Sequence, residues 1–131
     1  MKKFVASLIL LSFIAALLAA CSGTSGNCGS SSSDSTPAVQ MCGNTFAQSS
    51  ITISKGQSLT LANDASDIHI IANGSWINST AESRQEPGAP VVNNLQFNGN
   101  ASHIIGPFNT AGTYHLYCTV HPGMNLTVIV Q

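Results

Sequence analysis

From about Val39 to the C-terminus the chain reads as an all-β domain, a sandwich or a barrel. Three observations lead there. Short runs rich in Val, Ile, Leu and Thr alternate with Gly, Asn, Asp and Pro, the pattern of strands and turns. No 3.6-residue periodicity is sustained after residue 38, so no amphipathic helix is expected. Some runs alternate polar and apolar residues, the mark of a strand with one buried face.

The elements follow in order. Thr45-Phe46 leads towards a strand at Ser50–Ile53, closed by a turn at Lys55-Gly56. Ser58-Leu59-Thr60-Leu61 alternates, and Asn63-Asp64 is expected to break it. Ile68 to Ala72 is a further β-type run, with a turn expected at Asn73-Gly74. Residues 78–90, NSTAESRQEPGAP, form a polar stretch with Pro87, Gly88 and Pro90. Val91 to Phe97 and Ser102 to Ile105 are expected strands, and Pro107 to Gly112 turns the chain. In the next strand Tyr114, Leu116 and Cys118 fall at every second residue, and Leu126 to Val130 is a final β-branched run. About 90 residues suffice for one modest core.

The start of the chain has a different texture. Residues 1–20, MKKFVASLILLSFIAALLAA, open with Lys2 and Lys3 and continue as a mostly apolar run, which reads as a secretory signal. It ends Leu18-Ala19-Ala20-Cys21, which resembles a bacterial lipobox. The resemblance implies cleavage before Cys21, a lipid on that cysteine, and an extracytoplasmic domain anchored to the bacterial membrane. Residues 21–38 are rich in Ser, Gly and Thr, a composition expected of a flexible tether. The domain is then residues 39–131.

Charge narrows the function. Only 7% of the chain is charged. Without the signal it keeps Lys55 and Arg84 against Asp34, Asp64, Asp67, Glu82 and Glu86, a net charge of −3. A nucleic-acid partner, which calls for clustered Lys and Arg, is excluded.

The chemistry concentrates in YCTVHPGM, residues 117–124, as Cys118-x-x-His121-x-x-Met124. Strand alternation puts Tyr114, Leu116 and Cys118 on one face, with His115 and Tyr117 on the other. Pro122-Gly123 then forces a tight loop, so one loop can present thiolate, imidazole and thioether to a single point. Such soft donors with imidazole favour copper, and Cys with two His and a weak axial Met is the blue-copper electron-transfer set. The second histidine must come from His69, His103 or His115. His115 falls on the wrong strand face, and His103 reads as solvent-facing. His69 lies in the apolar run Ile68-His69-Ile70-Ile71, where a buried imidazole needs a hydrogen-bond partner or a metal. The bland reading is a small buried thiol beside a surface histidine and a core methionine. Spacing, strand phase and the upstream His69 all weigh against it.

These residues make the domain resemble a cupredoxin over residues 39–131, most closely in GPFNTAGTYHLYCTVHPGMNLTVIV, residues 106–130. The loop has amicyanin-like short spacing. The resemblance implies a Greek-key β-sandwich with one copper ion at its rim. His69, Cys118 and His121 would ligate it, with Met124 as the long axial ligand. One departure stands out: many cupredoxins follow the first histidine with Asn, which ties the two ligand segments together, and here Ile70 takes that place.

With Cys21 lipidated and Cys118 on copper, Cys28 and Cys42 are left. They form either two thiols or, in an oxidising compartment, a Cys28–Cys42 bridge that would add roughly 3 kcal/mol. Trp76 reads as a half-buried packing residue that could also cover the metal site. Asn73-Gly74-Ser75 and Asn125-Leu126-Thr127 match the N-glycosylation pattern but carry no weight in a bacterial lipoprotein.

The expected function is a monomeric one-electron carrier that passes electrons through His121 to a redox partner protein. Copper delivery is the alternative, and a metal-free structural surface domain is a third reading. No enzyme is expected: the chain has too few histidines for a trinuclear copper centre, and no paired carboxylates or Ser-His-Asp set stands out.

Overall fold

The computed structural model describes residues 36–131. Among these, every regular element is a β-strand. They are β1 (Ala38–Cys42), β2 (Thr45–Phe46), β3 (Ser50–Ile53), β4 (Leu59–Asn63) and β5 (His69–Ile77). Then come β6 (Thr80–Ser83), β7 (Leu95–Phe97), β8 (Ser102–Ile105), β9 (Gly112–Cys118) and β10 (Asn125–Val130). One sheet has the order β2-β1-β4-β8, and the other β3-β10-β9-β5-β6 with β7 also paired to β5. The expected signal, lipidated Cys21, most of the tether and Cys28 lie outside the described residues.

Alternation decides which side chains go inside. In β4, Leu59, Leu61 and Asn63 are buried between half-exposed neighbours, and β10 buries Leu126, Val128 and Val130 in the same way. Val39, Met41, Leu59 and Leu61 from one sheet join Ile71, Phe97, Leu116, Leu126 and Val128 from the other in a single core. Each such side chain contributes about 1.5–3 kcal/mol through burial. β4 ends at Asn63, before Asp64, as expected. The Asn63 amide caps the following loop, donating to Asp67 O at 2.6 Å and Asn98 O at 3.0 Å.

Three expectations need correction. Asn73-Gly74 is not a turn: β5 runs straight through it and changes partner there, from β9 (Ile71–Asn73) to β6 (Gly74–Ile77). The buried Asn73 side chain is held by the next segment, accepting from Val92 N at 2.6 Å and donating to Pro90 O at 3.2 Å. Gly74 has φ +127°, and a Cβ there would overlap the Glu82 carbonyl oxygen, so only glycine lets β6 approach. The true hairpin turn is Asn78-Ser79, with φ 48° and 66° between the paired Ile77 and Thr80, the positive-φ pair that tight hairpins prefer. The polar stretch 78–90 therefore contains a strand, β6. Conversely, Val91–Phe97 is a strand only from Leu95, because Val92 is engaged with Asn73 and Asn94 takes φ 50°.

The β5–β6 hairpin lies against the outer face of the β9–β10 sheet. Trp76 packs edge-on to Tyr117, with ring centroids 6.1 Å apart, and Tyr117 is buried although it points away from the core.

Candidate metal centre

Cys118 ends β9 on its inward face, and its partner across the ladder is Ile71 of β5. Two residues before Ile71 on the same strand face, His69 begins β5, and both His69 and Cys118 are fully buried. Pairing of the two strands thus carries the imidazole to the thiol. After Cys118 the chain leaves the sheet, and Met124 N–H donates to His121 O at 3.1 Å. That closes a four-residue turn with Pro122 second and Gly123 third, Gly123 having φ +81°. This is the turn type that wants proline and glycine in those places. His121 and Met124 stand at its two ends. Cys118 N–H then donates to Met124 O at 3.0 Å, which seats the buried Met124 beside Cys118.

The result is a compact donor cluster. Cys118 Sγ lies 3.4 Å from His121 Nδ1 and 3.7 Å from His69 Nδ1, and the two Nδ1 atoms are 3.2 Å apart. The point equidistant from three such atoms is about 2 Å from each, the length of a bond from thiolate or imidazole to a small transition metal. Among the described residues this is the one group of three His, Cys, Asp or Glu side chains close enough to share an ion. Burial first, and then the neighbouring His121, pulls the His69 pKa below the ordinary imidazole value, against a smaller opposing effect of Asp67. His69 is therefore neutral at neutral pH, the form in which imidazole binds a metal. Nδ1 is turned to the cluster, so with a metal on it the proton would sit on Nε2, which is buried without a hydrogen-bond partner among the described residues. The donor set is soft and has no carboxylate, which suits copper or zinc rather than magnesium or calcium.

The other histidines stay apart, as their strand positions imply. His103 is exposed on β8 in the opposite sheet, edge-on to Phe97. His115 points outward from β9 and pairs with Glu86, Nδ1 to Oε1 at 2.6 Å. Cys118 is a free thiol, and Cys42 is disulfide-bonded with its partner outside the described residues. Around the cluster, His121 is half-exposed between the exposed Val120, Pro122 and Gly123, and Ile68 beside His69 is also exposed.

The sequence reading missed how the loop is fastened. Thr119 N–H donates to Ile70 O at 2.8 Å, so the residue after the first histidine still ties the ligand segments, through its main chain. Trp76 Nε1–H donates to Cys118 O at 2.8 Å. The Asn125 side chain accepts from Trp76 N at 2.7 Å and donates to Trp76 O at 3.0 Å. No local spacing signals a contact between residues 49 positions apart.

No family model and no curated protein matches the chain. Solved structures do. Amicyanin from Paracoccus versutus (Thiobacillus versutus) is 23% identical, with a TM-score of 0.58 over 74% of this chain and 82% of its own. A reduced Cu(I) form of an amicyanin variant at pH 4 is 19% identical, with a TM-score of 0.57 over 75% of this chain and 84% of its own. The reduced state of another amicyanin variant is 18% identical, with a TM-score of 0.57 over 74% and 83%. At such identities the likeness speaks to architecture. The chain therefore has the cupredoxin fold, that of the amicyanins, with a His-Cys-His donor cluster where β5, β9 and the loop after β9 meet.

Proposed function

We propose that the protein is a one-electron carrier built around a single copper ion, rather than an enzyme. The observation that carries this is the triangle of Cys118 Sγ, His69 Nδ1 and His121 Nδ1, sized for one small ion. Met124 would be the weak axial ligand, since it closes the loop on Cys118 through its main chain. The amicyanin structures of the same fold include oxidised and reduced forms. Copper held by this set would supply a Cu(II)/Cu(I) couple.

The chain's own residues do the rest. Cys118 and His69 sit on paired strands and cannot move apart without opening the β5–β9 ladder. A donor set fixed in this way changes little between oxidation states. His121 is the ligand that reaches the surface, so electrons leave through its ring. Ile68, Val120 and Pro122 around it form an apolar rim for transient docking of a redox partner protein. Few charges surround the rim, so transfer rates should vary weakly with salt.

The signal, the lipobox-like Leu18-Ala19-Ala20-Cys21 and the Ser/Gly-rich residues 21–38 support a place outside the cytoplasm. A lipid on Cys21 would anchor the domain there as a monomer. The disulfide of Cys42 suits that oxidising compartment, and Cys28 is the partner proposed for it.

Voltammetry of the copper-loaded protein, run beside a chelator challenge, tests the reading. Reversible one-electron cycling with copper retained is expected. Rapid loss of copper to the chelator without reversible cycling would favour copper delivery instead.

A further inference from the structure

The Cys118–Thr119 peptide unit has both of its polar groups bonded to β5. Its carbonyl oxygen accepts from Trp76 Nε1–H at 2.8 Å, and its N–H donates to Ile70 O at 2.8 Å. That peptide plane carries the thiolate, and two bonds on opposite edges leave it no freedom to tilt. The far end of the ligand loop is fastened to the same tryptophan. Asn125, next to Met124, bonds both the N–H and the C=O of Trp76 through one side-chain amide, at 2.7 and 3.0 Å. Both ends of the loop that bears His121 therefore close on Trp76. The indole is anchored in turn by its edge contact with Tyr117.

Packing alone does not require this arrangement. Phenylalanine could cover Tyr117 as well as tryptophan does. It is the Nε1–H, aimed at the carbonyl of the thiolate residue, that packing leaves unexplained. The cluster also lacks the side-chain tie that an Asn after His69 would give, since that residue is Ile70.

We infer that Trp76, held by Asn125, is a positioning residue for the metal centre: it clamps the Cys118–Met124 loop from the outer face of the sheet and sets the geometry of the donor atoms. The inference rests on the copper reading for its spectroscopic consequence, but the clamp itself is a property of the metal-free chain. Outer contacts of this kind commonly change metal affinity by about 10- to 100-fold when removed.

Three variants of the purified protein test it. Trp76→Phe keeps the ring on Tyr117 and removes the Nε1–H. Asn125→Ala releases Trp76. Val128→Ala trims the core on β10 without touching the loop and serves as a control for lost stability. In metal-free protein, amide exchange at Thr119 and Met124 should quicken in the first two variants by about 10-fold or more beyond the change in the control. In copper-loaded protein, both should shift the visible charge-transfer band and speed copper loss to a chelator by about 10-fold, while Val128→Ala keeps the wild-type band. Exchange, band and copper loss in Trp76→Phe all matching the control would overturn the inference. A wild-type protein that binds no copper would remove the copper reading, and the exchange rates would still decide whether Trp76 clamps the loop.

Discussion

His69 and His115 lie on neighbouring strands of one sheet, yet the fold gives them opposite work. His69 faces inward, is fully buried, and has a thiol and a second imidazole as neighbours. His115 faces outward with its side chain 40% exposed, and its neighbour is the Glu86 carboxylate at 2.6 Å. The residue type is the same and both make close polar contacts. Strand phase makes the difference. An inward imidazole with no carboxylate bonded to it is kept neutral by burial and so offers a lone pair. An outward imidazole beside a carboxylate is held as a hydrogen-bond partner. A histidine becomes a metal donor here through what it faces, not through its distance along the chain from Cys118.

The largest test of that contrast is to delete each ring. His69→Ala should weaken copper binding more than about 100-fold, beyond the range of outer contacts, and His115→Ala should leave it within about 2-fold. Equal losses, measured by competitive titration, would remove the distinction. Next in size is Gly74→Ala, on the hairpin that covers the outer face near His115. The added Cβ meets the Glu82 carbonyl oxygen and lies 2.8 Å from Arg84 N. At φ +127° it should cost roughly 3 kcal/mol in a denaturant titration, and a cost near zero would mean that β6 does not pack there.

Acid separates the two histidine sites more finely. The folded pKa of His69 is depressed by burial. Above about pH 6.5 both folded and unfolded chains hold it neutral. Below that, the unfolded chain takes up a proton that the folded chain resists, so metal-free stability should fall as pH drops from about 6.5 towards the folded value. Glu86 behaves in a lower window. Burial raises its pKa, but hydrogen bonds from the His115 side chain and from main-chain amides outweigh burial and leave it lowered. Its contribution is present above the ordinary carboxylate range and is lost as pH falls below it. Melting temperatures against pH should show both declines, and His69→Gln should erase only the upper one. Smallest of all, Glu86→Gln should cost no more than about 1 kcal/mol at neutral pH, since the pair is partly exposed.

Much of the site is legible in the sequence alone. Alternation in GTYHLYC settles which residues of β9 face inward, and Pro122-Gly123 writes its own turn. Both are local rules, obeyed because nothing distant opposes them. Other features depend on distant partners. Asn73-Gly74 has turn chemistry, but Pro90 and Val92 take up the Asn73 amide and keep the strand extended. β6 is exposed along its whole length, so it has no apolar face to announce it. Trp76 and Asn125 meet only once β5 has crossed the sheet, and no motif links the two residues. The architecture therefore showed in periodicity, the donors showed in spacing, and the contacts that brace the donors did not show.

The most direct test of the central claim is the visible absorption spectrum of the Cu(II)-loaded protein beside its Cys118→Ser variant. An intense blue charge-transfer band in the wild type, absent from the variant, is the expected result for a thiolate bound to Cu(II) with two imidazoles. A folded wild-type protein that stays colourless with Cu(II) would contradict the account, and so would a band that survives in Cys118→Ser.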